Sequence, residues 1–143
     1  MTWKFNGETL EEAPEGYCGF VYLIVNITNN KKYVGKKLLS SSRRVIKSVK
    51  LKSGIKKKKK VRIVKESDWK EYYGSSDALK LDIELLGKEL FTREILYLCK
   101  SKAECSYRES WEIFNRNCLL SDEYYNSWCS VRIRKDHIIG KIK

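Results

Sequence analysis

The segment Gly19-Phe-Val-Tyr-Leu-Ile-Val-Asn-Ile27 constrains the fold of this chain more than any other. Its β-branched and aromatic side chains favour an extended strand. Thr28-Asn29-Asn30-Lys31 follows with turn chemistry, and Lys32-Tyr33-Val34-Gly35 resumes a strand. The pattern predicts a β-hairpin. Because side chains alternate across a strand, any antiparallel register whose paired residue numbers add to an odd value puts Tyr22 and Tyr33 on one face. A two-residue turn at Asn29-Asn30 satisfies this condition but pairs Tyr33 with Asn26, leaving the tyrosines roughly 13 Å apart along the strands. A longer connection with a shifted odd register brings them together.

The rest of the chain supplies partners for that hairpin. Residues 1–18 are acidic, end in a Pro14-Glu15-Gly16 turn signal and read as an arm packed before the first strand. Between residues 45 and 66, lysines alternate with Val, Leu and Ile around Ser53-Gly54, which predicts a second, basic β-hairpin inserted into the domain. Ser75-Ser76-Asp77 can start a helix whose apolar residues run from Ala78 to Leu86 before Gly87 ends it. Leu90–Cys99 is dense in strand formers, and Ser101 can cap a second helix, in which Tyr107, Trp111, Phe114 and Cys118 recur at helical spacing. The expected fold is α+β: a small three-stranded antiparallel sheet flanked by helices, with the basic hairpin as an insertion. Residues 19–127 form the main unit, and residues 128–143 are a basic extension packed on it.

Thirty Lys and Arg against eighteen Asp and Glu give a formal charge of +12, which points to a polyanionic partner. No apolar run approaches the ~20 residues of a membrane span, and the opening residues lack the pattern of a signal peptide; a cytoplasmic protein with no membrane contact is expected. The five cysteines are odd in number and contain no CxxC pair, so they read as reduced core thiols. His137 is the single histidine, which excludes His-based metal clusters and catalysis on a His pair.

The stretch from Phe20 to Lys36 resembles the signature hairpin of the GIY-YIG nuclease family, with Phe20-Val21-Tyr22 in place of GIY and Tyr33-Val34-Gly35 in place of YIG. The resemblance extends to Arg43, where the family commonly places a catalytic Arg, to Glu109 in Tyr107-Arg108-Glu109-Ser110-Trp111, where it places its metal-binding Glu, and to Asn126. The basic insertion and Trp69–Ser76 are similar to phage-borne branches of the family. Phe20 stands in place of the first motif Gly, a packing position, and Lys47 stands where the family usually has His or Tyr.

The resemblance implies an endonuclease that hydrolyses phosphodiester bonds. Glu109 would hold one Mg²⁺ or Mn²⁺, a hard cation that keeps most of its waters and acts as a Lewis acid on the scissile phosphate. Arg43 would add a permanent charge with a fork suited to phosphate. Tyr22 would be the general base, its phenol lowered by the neighbouring metal and Arg, and Tyr33 would position water or phosphate. Lys36, Lys37, Arg44, Lys47 and Asn126 are candidate nucleic-acid contacts, as is the run Lys56, Lys57, Lys58, Lys59, Lys60, which is either a solvated edge or a clamp on DNA backbone. Glu112 competes with Glu109 for the metal, and Arg44 with Arg43 for the phosphate. The expected substrate is DNA, with RNA open, cut with low sequence specificity by a monomer or transient homodimer of phage or mobile-element origin. The alternative is a nucleic-acid-binding module of the same fold that has lost its activity.

Overall fold

The computed structural model describes residues 2–142; Met1 and Lys143, the outer ends of the expected arm and extension, lie outside the described residues. In chain order the elements are β1 (Trp3–Phe5), β2 (Glu8–Leu10), β3 (Gly19–Asn26), β4 (Lys31–Leu38), β5 (Ser40–Lys50), β6 (Lys56–Glu66), α1 (Asp77–Leu86), β7 (Phe91–Cys99), α2 (Lys102–Asn115) and α3 (Lys135–Ile138). The expected antiparallel trio is present as β7-β3-β4, and two further strands extend it to a five-stranded mixed sheet of order β2-β1-β7-β3-β4. The extra strands come from the N-terminal segment: β1 and β2 form a hairpin, and β1 runs parallel to β7. Trp3 anchors this hairpin. Its indole is buried and donates from Nε1 to the Trp69 carbonyl at 2.7 Å, which satisfies the ring's one polar group inside the core.

Each face of the sheet carries its own core. On one, Phe20, Tyr22 and Ile24 pack with Trp3, Trp69, Phe91, Ile95 and the α1 residues Leu79 and Ile83. On the other, Val21, Leu23 and Val34 pack with Cys105 and Ile113 of α2 and with Cys118. Phe20 at the first motif position is fully buried and makes edge contacts with the rings of Trp3, Tyr22 and Trp69, so it fills core volume that a Gly would leave to other side chains. The first helix begins and ends where its signals stand. Ser76 Oγ accepts from the Leu79 N–H, and Gly87 takes φ +93° at the C-terminus.

The second helix starts at its expected cap, Ser101, but buries a different face from the one its apolar spacing suggested. Tyr107, Trp111 and Phe114 are exposed, whereas Glu104, Cys105, Ser110, Glu112 and Ile113 are buried. Partnered acids make this possible. Glu104 accepts from the Lys100 N–H and pairs with Arg108, and Glu112 accepts from the Tyr97 hydroxyl and pairs with Arg116 at 2.5 Å. Buried charge with its hydrogen bonds filled can line a helix–sheet interface that hydrophobicity alone would assign to leucines.

The basic insertion is longer than expected, beginning at Ser40 rather than residue 45. Strands β5 and β6 pair along their whole length, from Ser40 opposite Glu66 to Lys50 opposite Lys56, as a separate two-stranded ribbon. No residue from 40 to 66 is buried. The ribbon is tethered at its base, where the Ser67 N–H donates to the Leu39 carbonyl and Ser67 Oγ donates to the Leu38 carbonyl.

Candidate active site

The β3–β4 register pairs Tyr22 with Gly35 and Ile24 with Tyr33. The paired numbers add to an odd value, and the connection between Asn26 and Lys31 is longer than two residues, which is the shifted register that brings the tyrosines together. Their ring centroids lie 6.1 Å apart on one face. Asn26 helps fix this loop by accepting from Thr28 N–H and Oγ1, and Asn30 takes φ +60°.

Gly35 explains how a residue of β3 reaches beyond β4. A Cβ added at this position would collide with the Tyr22 hydroxyl and lie 2.6 Å from Tyr22 Cζ and 3.0 Å from Tyr33 Cε1. The missing side chain lets the Tyr22 ring lie flat across β4 toward its outer edge. Gly74, at φ +91°, supports Tyr33 in a similar way, and the Tyr33 hydroxyl meets Ser75 Oγ at 3.0 Å.

Residues from the opposite face meet these tyrosines around that edge. Tyr22, Tyr33, Ser75 and Ser76 line a cleft of about 480 Å³ together with Lys36, Ser106, Glu109 and Ile113. Glu109 lies on the same stripe of α2 as Cys105 and Ile113, one turn to either side, and so projects over the sheet. Burial raises its pKa against the opposing effect of Lys36, whose ammonium and backbone N–H both favour the ionised carboxylate. Lys36 Nζ donates to Ser106 Oγ at 2.8 Å. Glu112, the competing carboxylate, is occupied by Tyr97 and Arg116 and does not line the cleft.

A C-terminal strap forms a further wall of the cleft, running from the β4 edge toward α2, where Cys129 meets Ser110. Tyr124 bridges to Lys32 in parallel, and Asn126 Oδ1 accepts from the Val34 N–H while its Nδ2 donates to the Val34 carbonyl. Asn126 thus lines the cleft with its amide anchored to both backbone polar groups of Val34 on the β4 edge, and its second N–H is not used in that pair. Beyond it, Ser127, Trp128, Cys129, Ser130 and Arg132 also line the cleft. The sequence pointed neither to Arg132, a cation in the cleft lining, nor to Tyr72, whose ring packs edge-on against Tyr22 with centroids 6.1 Å apart. Neither falls in a recognisable spacing with the motif.

In the metal-free protein, burial and then the neighbouring Tyr33, Tyr72 and Glu109 side chains push the Tyr22 phenol well above its ordinary value; the lowering expected of a metal concerns the loaded site. Burial likewise raises Tyr33. Arg43 is not beside these phenols. It lies on β5 of the ribbon opposite Ile63, is exposed and does not line the cleft, and Arg44 and Lys47 share that strand. Lys37, on the tyrosine face, is held by Asp68 at 2.6 Å and stacks over Tyr72 at 4.1 Å.

The donor set matches a hard cation. It is one carboxylate in oxygen-rich surroundings, with burial disfavouring its charge, and among the described residues no group of three or more His, Cys, Asp or Glu could form a full protein cage. A cation bound here would keep most of its waters, the coordination habit of Mg²⁺.

A tyrosine-bearing hairpin crossed at its edge by a helical carboxylate defines an α+β domain with a phenol–carboxylate cleft. Residues 3–129 match the family model for the GIY-YIG domain of the endonuclease segE, and the chain belongs to this GIY-YIG family. It is a nuclease-family domain, and nucleic acid is the substrate that the family implies. No curated protein and no solved structure matches the chain. Among the described residues, no helix is long and apolar enough to cross a membrane.

Proposed function

We propose that the protein is a metal-dependent endonuclease that hydrolyses DNA phosphodiester bonds with low sequence specificity, acting in the cytoplasm of a cell that hosts a phage or mobile element. The observation that carries this reading is the meeting of Tyr22, Tyr33 and Glu109 in one cleft from three separate elements. Glu109 would hold Mg²⁺ or Mn²⁺, with Lys36 beside it favouring the ionised carboxylate. When bound, the cation supplies a Lewis acid that polarises the scissile phosphate and lowers the pKa of nearby water and phenol.

The chain's own groups divide the remaining work. The Tyr33 hydroxyl, pinned by Ser75, positions water or a phosphate oxygen. Tyr22 in the free protein is a protonated donor, and its duty as a base is confined to the metal-loaded state. Lys36 and Arg132 supply positive charge at the rim. Arg43, Arg44, Lys47 and Lys56 to Lys60 grip the substrate from the ribbon rather than in the cleft.

The direct test is nicking of supercoiled plasmid. Relaxed and linear products are expected with Mg²⁺ or Mn²⁺ and none in excess chelator; undiminished cutting in chelator would overturn metal dependence. Arg43→Ala is expected to raise KM severalfold with kcat unchanged, the pattern of lost uniform binding. A hundredfold fall in kcat would instead show that the ribbon closes over the cleft.

A further inference from the structure

The net charge of the chain is concentrated in one element. Residues 40–66 contain twelve of the thirty Lys and Arg and, in Glu66, one of the eighteen Asp and Glu, so the remainder of the chain is close to neutral. The β5–β6 register sets Arg44 opposite Arg62, Lys47 opposite Lys59 and Lys50 opposite Lys56. Like charges directly opposite destabilise an antiparallel pair, and a two-stranded ribbon standing alone in water is marginal to begin with. All six side chains are exposed, with no buried core beneath them to offset the repulsion. The arrangement is unfavourable in the free protein and becomes favourable when a polyanion is bound.

The spacing of the pairs narrows the shape of that polyanion. They recur every three residues, or ~10 Å along the strand. Side chains alternate between faces, so Arg44–Arg62 and Lys50–Lys56 point to one side of the ribbon and Lys47–Lys59 to the other. Contact with a single row of phosphates relieves the repulsion on one face and leaves it on the other. A groove walled by two rows relieves both. The major groove of B-form DNA, ~12 Å wide, admits a two-stranded ribbon, whereas that of A-form RNA is too narrow. Eleven residues per strand extend roughly 37 Å, close to one helical turn of the duplex.

We propose that the β5–β6 ribbon enters the major groove of duplex DNA with each face against one phosphate wall, and that this docking supplies most of the affinity while the cleft does the cutting. The inference rests on nucleic acid being the substrate. It assigns the ribbon a grip set by groove shape and charge, which accords with low sequence specificity because lysines act as point charges toward phosphate.

The test measures binding in chelator, so that cleavage plays no part in the readout. A fluorescent duplex of about three helical turns is titrated across a salt series with the parent and two double variants, Arg44→Ser with Arg62→Ser and Lys47→Ser with Lys59→Ser. Each neutralised phosphate contributes about −0.9 to the slope of log K against log salt. Both variants should therefore flatten the slope by roughly 1.8, with melting temperatures unchanged or higher because repulsion has been removed. If only one variant flattened it, the contact would be one-sided and the groove model would fail. A second duplex, whose thymines carry bulky C5 substituents that fill the major groove while the phosphates stay as they are, should bind at least tenfold more weakly, and netropsin in the minor groove should have no effect. Equal binding of the filled duplex, or loss of binding with netropsin instead, would overturn the proposal. A protein that passes these tests but cuts no plasmid would sink the nuclease reading alone.

Discussion

Replacing Glu109 with alanine is expected to lower plasmid cleavage by roughly 10³-fold or more, about 4 kcal/mol of transition-state stabilisation, while duplex binding in chelator stays near that of the parent. Glu109 is the carboxylate that α2 presents to the tyrosine cleft, and Glu112 one turn away is bound up with Tyr97 and Arg116. Among the described residues, no other Asp or Glu lines the cleft. Binding should survive because the positive charge of the protein lies on the ribbon. Parent-like cutting by Glu109→Ala would remove this residue from the chemistry.

The same side chain predicts a stability effect with a defined sign. Its folded-state pKa is raised, so its contribution to stability is full below the unfolded value and is lost as pH rises through the folded value. At neutral pH the ionised carboxylate is a cost of folding, and neutral Glu109→Gln should melt higher than the parent in chelator. The gap should close on acidification. Added Mg²⁺ or Mn²⁺ should raise the melting temperature of the parent and leave Glu109→Gln unmoved. A lower melting point for Glu109→Gln at neutral pH would mean that the Lys36 contacts outweigh the burial cost.

What the sequence reveals about this protein depends on how local the determinants are. The hairpin, the Ser76 and Ser101 caps and the tyrosine face follow from alternation and capping, which act over a few residues. The N-terminal strands do not, because Trp3 earns its burial from Trp69, sixty-six positions away. The buried face of α2 was misread because Glu104 and Glu112 become compatible with a core only through partners contributed by other turns and by β7. Arg43 illustrates the limit of motif spacing. Its distance from Gly35 matches the family, but β5 carries it onto the ribbon and away from the cleft. The direction of the Tyr22 shift in the metal-free protein was equally hidden, since burial, its largest cause, comes from rings that β1, β4 and the segment after β6 bring together.

Gly35→Ala should damage the site almost as severely as the loss of the carboxylate, although it adds a single methyl group. Its backbone is not in the left-handed region, so the effect is crowding rather than strain. The added carbon would strike the Tyr22 hydroxyl and press on the Tyr33 ring. Tyr22 has little room to retreat, being 1% exposed and boxed by the rings of Trp3, Phe20, Tyr33 and Tyr72. Overpacking of this kind costs about 1–3 kcal/mol, and displacing a catalytic group by ~1 Å can cost on the order of 10²-fold in rate. Thermal melting and single-turnover cleavage should register both losses. Adding Tyr22→Phe removes the hydroxyl from the collision and should restore part of the stability, yet none of the activity. If Gly35→Ala kept the parent's rate, the path of the Tyr22 ring across β4 would have no part in catalysis, and the glycine would serve packing alone.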